Sequence, residues 1–208
     1  MPYLILASRN AHKAEEIAVI LGDRFRIQTL ADFPNAPEVV EDGDTFAANA
    51  VKKAEGIAAW LKAQTLNQAR PDLVLADDSG LEVDALEGGP GVHSARYAGG
   101  ESNAADASNN AKLLHEMDEI PDELRGAQFQ CVLALIELYQ ASKVLTFDGI
   151  CQGKIARVQT GKGGFGYDPL FIPKGHMKSL AELGPVVKNE ISHRSRALAK
   201  LSEYLNQG

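Results

Sequence analysis

LVLADDSGLEVDAL, residues 73–86, begins as an unbroken apolar run and then sets two aspartates side by side before Ser79 and Gly80. The continuous apolar character of residues 73–77 predicts a buried strand, and the alternation over 81–86 predicts a second, half-exposed one. Adjacent carboxylates where a buried strand ends either repel each other or hold something positive. Side chains along a strand alternate between faces, so Asp77 and Asp78 take different roles. Asp78 is expected to face a ligand, while Asp77 bonds to backbone or orients a ligating group. The competing reading is a plain strand end, closed by an Asx-turn with Ser79 as a cap.

Upstream, residues 3–7 form an apolar run, and Asn10 opens a helical pattern in which Ala14, Ile17 and Leu21 share a face before Gly22 ends it. Residues 25–30 read as a second strand. Pro34 and Pro37 bracket a loop that leads to Thr45, from which an Ala-rich helix runs to about Leu66. Downstream, Gly88 to Gly91 predict an irregular loop, and a helix follows from about Asn103 to Met117. Two longer strands, near Ala127–Tyr139 and Val144–Arg157, pair across a short polar turn. A glycine-rich loop at 161–166 leads into YDPLFIP, and a terminal helix starts near Ser192. Helices alternating with strands at both ends of a central antiparallel ribbon predict an α/β protein with a mixed sheet and flanking helices.

The chain has 208 residues, 45% of them hydrophobic and 24% charged, and no stretch has a linker's composition. One domain spanning 1–208 is therefore expected. The run YLILA is far too short to cross a bilayer and follows no basic segment, so neither a membrane span nor a signal peptide is expected. A net charge of −7 argues against binding along a nucleic-acid backbone, which needs many Lys and Arg contacts. It leaves room for a small polyanion in a local basic pocket. Cys131 and Cys151 lack the spacing of a redox or zinc motif, which fits small core thiols in a reducing cytoplasm.

Five segments carry chemistry. At Ser8 to Lys13 a strand stops and a helix starts, where unpaired N–H groups and the helix dipole favour an anion. Lys13 and Arg9 add charge there, although Asn10 also suits an ordinary N-cap. In the helix after Thr45, Lys53 falls within an apolar stripe that includes Phe46, Ile57 and Trp60. Either its stem covers the core while the amine snorkels to water, or the amine is aimed inward at a phosphate or carboxylate. Asn49 leans the same way, one turn earlier. Glu41, with the aspartate pair, supplies the oxygen donors that suit Mg²⁺, which commonly takes one or two carboxylates plus phosphates and water.

In the fourth segment, Gly161 to Phe171, glycines let the backbone approach a flat group, and Phe165 and Tyr167 offer stacking faces for a base. Gly166 joins them, and Asp168 before Pro169 sets the exit. Phe171 is expected in the core. In the fifth segment, His193 and Arg194 occupy the first turn of the terminal helix, with Lys188 just before, again at an electropositive end.

Taken in order, Ser-x-Asn-x-x-Lys (8–13), Glu-x-Gly-x-Thr-Phe-x-x-Asn-Ala-x-x-Lys-Ala (41–54) and Ala-Asp-Asp-Ser-Gly-Leu (76–81) are followed by Gly-x-x-Ser-Ala-Arg-Tyr (91–97), Gly-Phe-Gly-Tyr-Asp-Pro (164–169) and Ile-Ser-His-Arg (191–194). This series resembles the inosine triphosphate pyrophosphatase family, which includes the bacterial dITP/XTP pyrophosphatases, over roughly 3–205. The resemblance implies two lobes around a central substrate cleft and a cytoplasmic homodimer. It also implies a Mg²⁺-dependent split of ITP, dITP or XTP into monophosphate and pyrophosphate, which cleanses the nucleotide pool. By the same resemblance, the triphosphate lies on Ser8, Arg9, Asn10, Lys13 and Lys53. The metal lies on Glu41 and Asp78, with Asp78 the general base and Asp77 in support. Ser79 touches substrate, and Phe165 to Asp168, Lys188, His193 and Arg194 surround the nucleoside. Ser8 followed by Arg9 departs from the Thr and small residue of many relatives but keeps the hydroxyl. The role of Arg96 stays open.

Two alternatives remain. A pyrophosphatase for pyrimidine or modified nucleotides, like the Maf group, would share the metal and differ in its base panel. A nucleotide sensor without catalysis should lack Glu41, Lys53 or Asp78, and all three are present.

Overall fold

The computed structural model describes residues 1–64, 71–99, 106–139 and 143–207. Its regular elements, in chain order, are β1 (Tyr3–Leu6), α1 (Ala11–Leu21), β2 (Arg26–Thr29), α2 (Phe46–Ala63), β3 (Leu73–Val83), α3 (Asp106–Glu116), β4 (Gly126–Glu137), β5 (Val144–Ile155), β6 (Phe171–Pro173), α4 (Leu180–Ile191) and α5 (His193–Leu205), with short 3₁₀ turns between some of them. The six strands form one sheet in the order β2-β1-β3-β4-β5-β6. β1 runs parallel to β2 and β3, whereas β5 and β6 are antiparallel, so the sheet is mixed as expected.

Local chemistry sets the first elements. Asn10 accepts the N–H of Lys13 at 3.1 Å and so starts α1, and the chain leaves that helix at Gly22. Thr45 does the same for α2 through the N–H of Ala48, at 3.1 Å. Each cap is worth about 1 kcal/mol. The expected end of α2 near Leu66, the start of α3 near Asn103 and the turn between β4 and β5 at 140–142 lie outside the described residues.

Two elements differ from the sequence reading. The segments read as separate strands at 73–77 and 81–86 form one 11-residue strand, β3, followed by a 3₁₀ turn over Asp84–Leu86. Asp77 and Asp78 therefore sit within a strand and not at its end. Local turn propensity in Asp-Asp-Ser-Gly is overridden although the register with β1 ends at Leu75, because β3 runs on as the neighbour of the 12-residue β4. Helix α4 is the second difference, since no helix is expected before Ser192. Ser179 and Glu182 form a capping box at its start. Gly184, at φ 79° and ψ 173°, then breaks the helix just before Pro185. That Gly-Pro pair conceals the helix in the sequence.

The chain divides into two compact units. The first comprises Met1–Asp78, Cys131–Asp148 and Ala197–Gly208, and the second comprises Ser79–Gln130 and Gly149–Arg196. The first has a core that includes Leu4, Leu6, Ile17, Leu75, Leu133 and Leu198. The second has its own, including Leu81, Val83, Leu113, Leu170 and Phe171. Burying each such side chain contributes about 1.5–3 kcal/mol. Both cysteines are buried thiols, each within one of these cores.

Candidate active site

In the first unit, the turn from β1 to α1 is built by its own polar side chains. Ser8 Oγ accepts the N–H of Asn10 at 3.1 Å, and Arg9 donates to the carbonyl of Ala36 at 2.8 Å. Lys13, in the first turn of α1, ion-pairs with Asp77, Nζ to Oδ1 2.7 Å. Cys131 Sγ donates to the other oxygen of Asp77 at 3.4 Å. Lys53 comes from the middle of α2, where its stem crosses the apolar stripe. Its amine lies 3.0 Å from Glu41 and 3.2 Å from the carbonyl of Asp77. The amine is thus aimed at carboxylate and carbonyl oxygens, the second of the two readings of this lysine.

Asn49, one turn before Lys53, bonds the loop that carries Glu41, a partner of Lys53. Its carboxamide accepts the N–H of Gly43 at 2.7 Å and donates to the same residue's carbonyl at 3.3 Å, strapping the loop that carries Glu41. A Cβ on Gly43 would meet Asn49 Oδ1 at 2.8 Å, so the strap requires glycine.

Asp78 differs from its neighbour. It is 6% exposed, and its Oδ2 is buried with no hydrogen-bond partner. Burial pushes its carboxyl up to about 6, against the pull of Lys13 and Lys53, while Glu41 and Asp77 push the same way as burial. Among the described residues, no three His, Cys, Asp or Glu side chains gather closely enough to hold a metal by themselves.

In the second unit, the loop after β5 is anchored over residues 165–168. The Phe165 N–H donates to Asp168 Oδ2 at 2.9 Å, and Asp168 also pairs with the buried Lys188 of α4. The Lys188 amine lies 4.4 Å from the centre of the Phe165 ring. His193 and Arg194 both fall in the first turn of α5. The His193 ring stacks on Phe129 at 4.8 Å, and Arg194 donates to Ser79 Oγ at 2.9 Å.

Tyr167 is a correction to the sequence reading. It is 4% exposed within the second core, and its hydroxyl donates to the carbonyl of Ser94 at 2.9 Å. Burial raises its phenol well above the ordinary value. Its ring offers no open face for a base, because an aromatic of this size at that position completes the core. Phe165 is half-buried, with Lys188 and Arg194 over its ring. Phe171 is fully buried, as expected.

Asp106 and Asn110 were not singled out from the sequence, and the contacts of Ser94 and Cys131 were not foreseen there. Ser94 accepts the N–H of Leu81 at 2.9 Å and donates to the carbonyl of Gly91 at 2.6 Å, so the 91–96 turn braces β3. Arg96 ends that turn with its side chain exposed. Asp106 and Asn110 of α3 contact Gly166, and Cys131 contacts Asp77. One signal was visible for α3. Asn109 and Asn110 are adjacent in a helix interior, where asparagine is a poor helix former and is retained for its hydrogen bonds.

A mixed sheet whose central strand carries buried carboxylates beside two lysines suits an α/β-class enzyme that acts on a phosphoanhydride. The chain belongs to the Ham1 family, whose model matches residues 4–204. It is 49% identical over 204 residues to a dITP/XTP pyrophosphatase of Geobacillus kaustophilus, covering 98% of this chain and 94% of that one. It is 48% identical over 206 residues to a dITP/XTP pyrophosphatase of Geobacter sulfurreducens, covering 99% and 97%. Among solved structures, a HAM1 protein from Coxiella burnetii matches with a TM-score of 0.83 at 39% identity, over 100% of each chain.

Proposed function

We propose that this chain hydrolyses the non-standard purine nucleoside triphosphates ITP, dITP and XTP to monophosphate and pyrophosphate. The relatives' names support that substrate class. The observation that carries the reaction is the buried, partnerless oxygen of Asp78 beside Lys13, Lys53 and Glu41. Such an oxygen is costly unless a cation or a proton in transfer completes it. On this reading the whole chain, 1–208, acts as one functional domain, and deaminated purines are removed before a polymerase meets them.

The donors fit a Mg²⁺ held by Glu41 and Asp78, because this ion commonly takes two carboxylates and fills its remaining positions with phosphate and water. When bound, it would neutralise triphosphate charge and polarise the phosphorus under attack. Asp78 orients a water and draws its proton as the water oxygen bonds to the α-phosphorus and the bond to the bridging oxygen breaks. Lys13 and Lys53 offset the charge that moves onto pyrophosphate. Asp77, itself met by the Cys131 thiol, holds Lys13 in place, and Asn49 holds the loop bearing Glu41. Ser8, Arg9 and Asn10 shape the turn that receives the phosphates at the start of α1.

For the base, Phe165 supplies the stacking face, and Lys188, His193, Arg194 and Ser79 supply polar contacts, with Asp168 holding Lys188. Donors here match the 6-keto oxygen of hypoxanthine and xanthine. Against the amino group of adenine, each would lose a partner, at about 1–3 kcal/mol. A cytoplasmic homodimer belongs to the same proposal and is supported by the family resemblance. No helix among the described residues is long and apolar enough to cross a membrane.

The test is to incubate purified protein with ITP, dITP, XTP, GTP, ATP and dTTP, with and without Mg²⁺, and to resolve the products. IMP or XMP with pyrophosphate, formed only with metal and only from the 6-keto, non-guanine substrates, is expected. Release of single phosphates overturns the mechanism, and turnover confined to pyrimidines moves the chain to the Maf-like reading. Tight ITP binding without turnover makes it a sensor.

A further inference from the structure

We infer that Asp106 and Asn110 of α3 are positioning residues for base selection, because together they clamp the peptide of Gly166 and so set where Phe165 presents its ring. Asp106 Oδ2 accepts the Gly166 N–H at 2.7 Å, and Asn110 Nδ2 donates to the Gly166 carbonyl at 2.8 Å. The two side chains are four residues apart, one turn of the same helix face. They are also chemically matched to their targets. A carboxylate can only accept, and a carbonyl can be met only by the amide nitrogen of Asn110, which removes any ambiguity in that side chain's orientation.

The clamp holds an unusual backbone. Gly166 has φ +60°, a conformation other residues rarely adopt, and a Cβ there would meet no atom within 4 Å. The residue is glycine for its conformation, not for lack of space. The residues on either side are anchored from elsewhere, Phe165 through its N–H to Asp168 and Tyr167 through its hydroxyl to Ser94. Three consecutive residues are thus pinned by four partners. Asn110 is 3% exposed and its Nδ2 is committed to this one carbonyl. Helix α3 is itself tied to the 95–98 segment, through Asn109 to Ala95 and Ala98 and through Lys112 to Tyr97, so the clamp stands on an anchored helix.

This inference rests on Phe165 being the base-facing ring, as proposed above. Loosening the peptide should weaken the grip on the base and leave the grip on phosphate unchanged. The experiment measures inhibition by IMP and by inorganic pyrophosphate separately, alongside kcat/KM for ITP against GTP and ATP. Asp106→Ala and Asn110→Ala should each weaken IMP about 10-fold, the size of one lost hydrogen bond to a buried group. They should lower the ITP preference by the same factor, mostly through KM, with pyrophosphate inhibition unchanged.

Asp106→Asn keeps an accepting oxygen and should recover most of the loss. Asn110→Asp sets a carboxylate against the Gly166 carbonyl and should be worse than alanine, an ordering that a space-filling role would not produce. If an alanine variant does not fold, Gly166→Ala opposes only the φ of +60° and should produce the same separation of IMP from pyrophosphate. Wild-type protein that binds no IMP overturns the base reading and this inference with it. Wild type that binds IMP while the variants match it overturns the clamp alone.

Discussion

Lys13 and Asp77 form an ion pair, Nζ 2.7 Å from Oδ1, that joins the first turn of α1 to the middle of β3. It divides the work of two adjacent aspartates. Asp77 has a counter-charge and a thiol donor, whereas Asp78, one residue on, keeps a buried oxygen with no hydrogen bond.

Asp78→Asn should reduce kcat by about 10²–10⁴-fold, the range for loss of a general base. It should also stabilise the metal-free protein. Burial pushes the folded carboxyl up to about 6 from its ordinary 3.8, so the folded state binds more protons than the unfolded one between those values. Wild-type stability therefore falls as pH rises through that window. Asparagine has no such loss. In EDTA the variant should match wild type near pH 4 and exceed it by roughly 1–3 kcal/mol above pH 7. Thermal melts across pH check this, and a gap that does not change with pH would refute it.

Lys53→Met should cost about 10²–10³-fold in kcat, as for loss of one charge-stabilising donor. Its effect on the fold should be small, because Glu41 is 35% exposed at the side chain and water can replace the pair. Steady-state rates at saturating Mg²⁺, set beside the melting temperature, separate the two effects. A large drop in melting temperature would argue that the lysine is structural.

The pair of Lys188 and Asp168 should behave oppositely. Their side chains are 4% and 2% exposed, so Lys188→Met leaves a buried carboxylate without its cation. A loss of about 3–5 kcal/mol is expected. Urea denaturation measures it, and a loss below about 1 kcal/mol would mean that water reaches Asp168.

Arg125→Met tests a purely structural role. The buried guanidinium donates to the carbonyls of Ile155 at 2.9 Å, Ile120 at 3.3 Å, Ala156 at 3.0 Å and also Met117. Leaving those acceptors unmet should cost at least about 3 kcal/mol, since each unsatisfied group costs about 1–3. Turnover per folded molecule should not change. Denaturation midpoints and low-temperature assays check the two halves, and lost activity in fully folded protein would place Arg125 in the mechanism.

Much of the fold was legible because its signals are local. Asn10 and Thr45 cap their helices through their own side chains, and the apolar period of Ala14, Ile17 and Leu21 needs no knowledge of the rest of the chain. Where Gly184 and Pro185 interrupt α4, the same rules misled. They misled again at Asp77 to Gly80, where a turn-like composition lies inside a strand that runs on beside β4 after its register with β1 has ended.

The sequence by itself determined which residues are chemically able to act: the carboxylates at 41, 77 and 78, the lysines at 13, 53 and 188, and the basic start of α5. Their types and spacings are written in the chain, and helix and strand periods carry them to particular faces. Tertiary structure decided how they share the work. Which aspartate takes Lys13 depends on contacts across 64 residues of chain, and so does the clamp on Gly166, 60 residues from Asp106. The core position of Tyr167 depends on Ser94, 73 residues away. Such partners are chosen by packing, because a buried polar group must be met by whatever the fold brings to it.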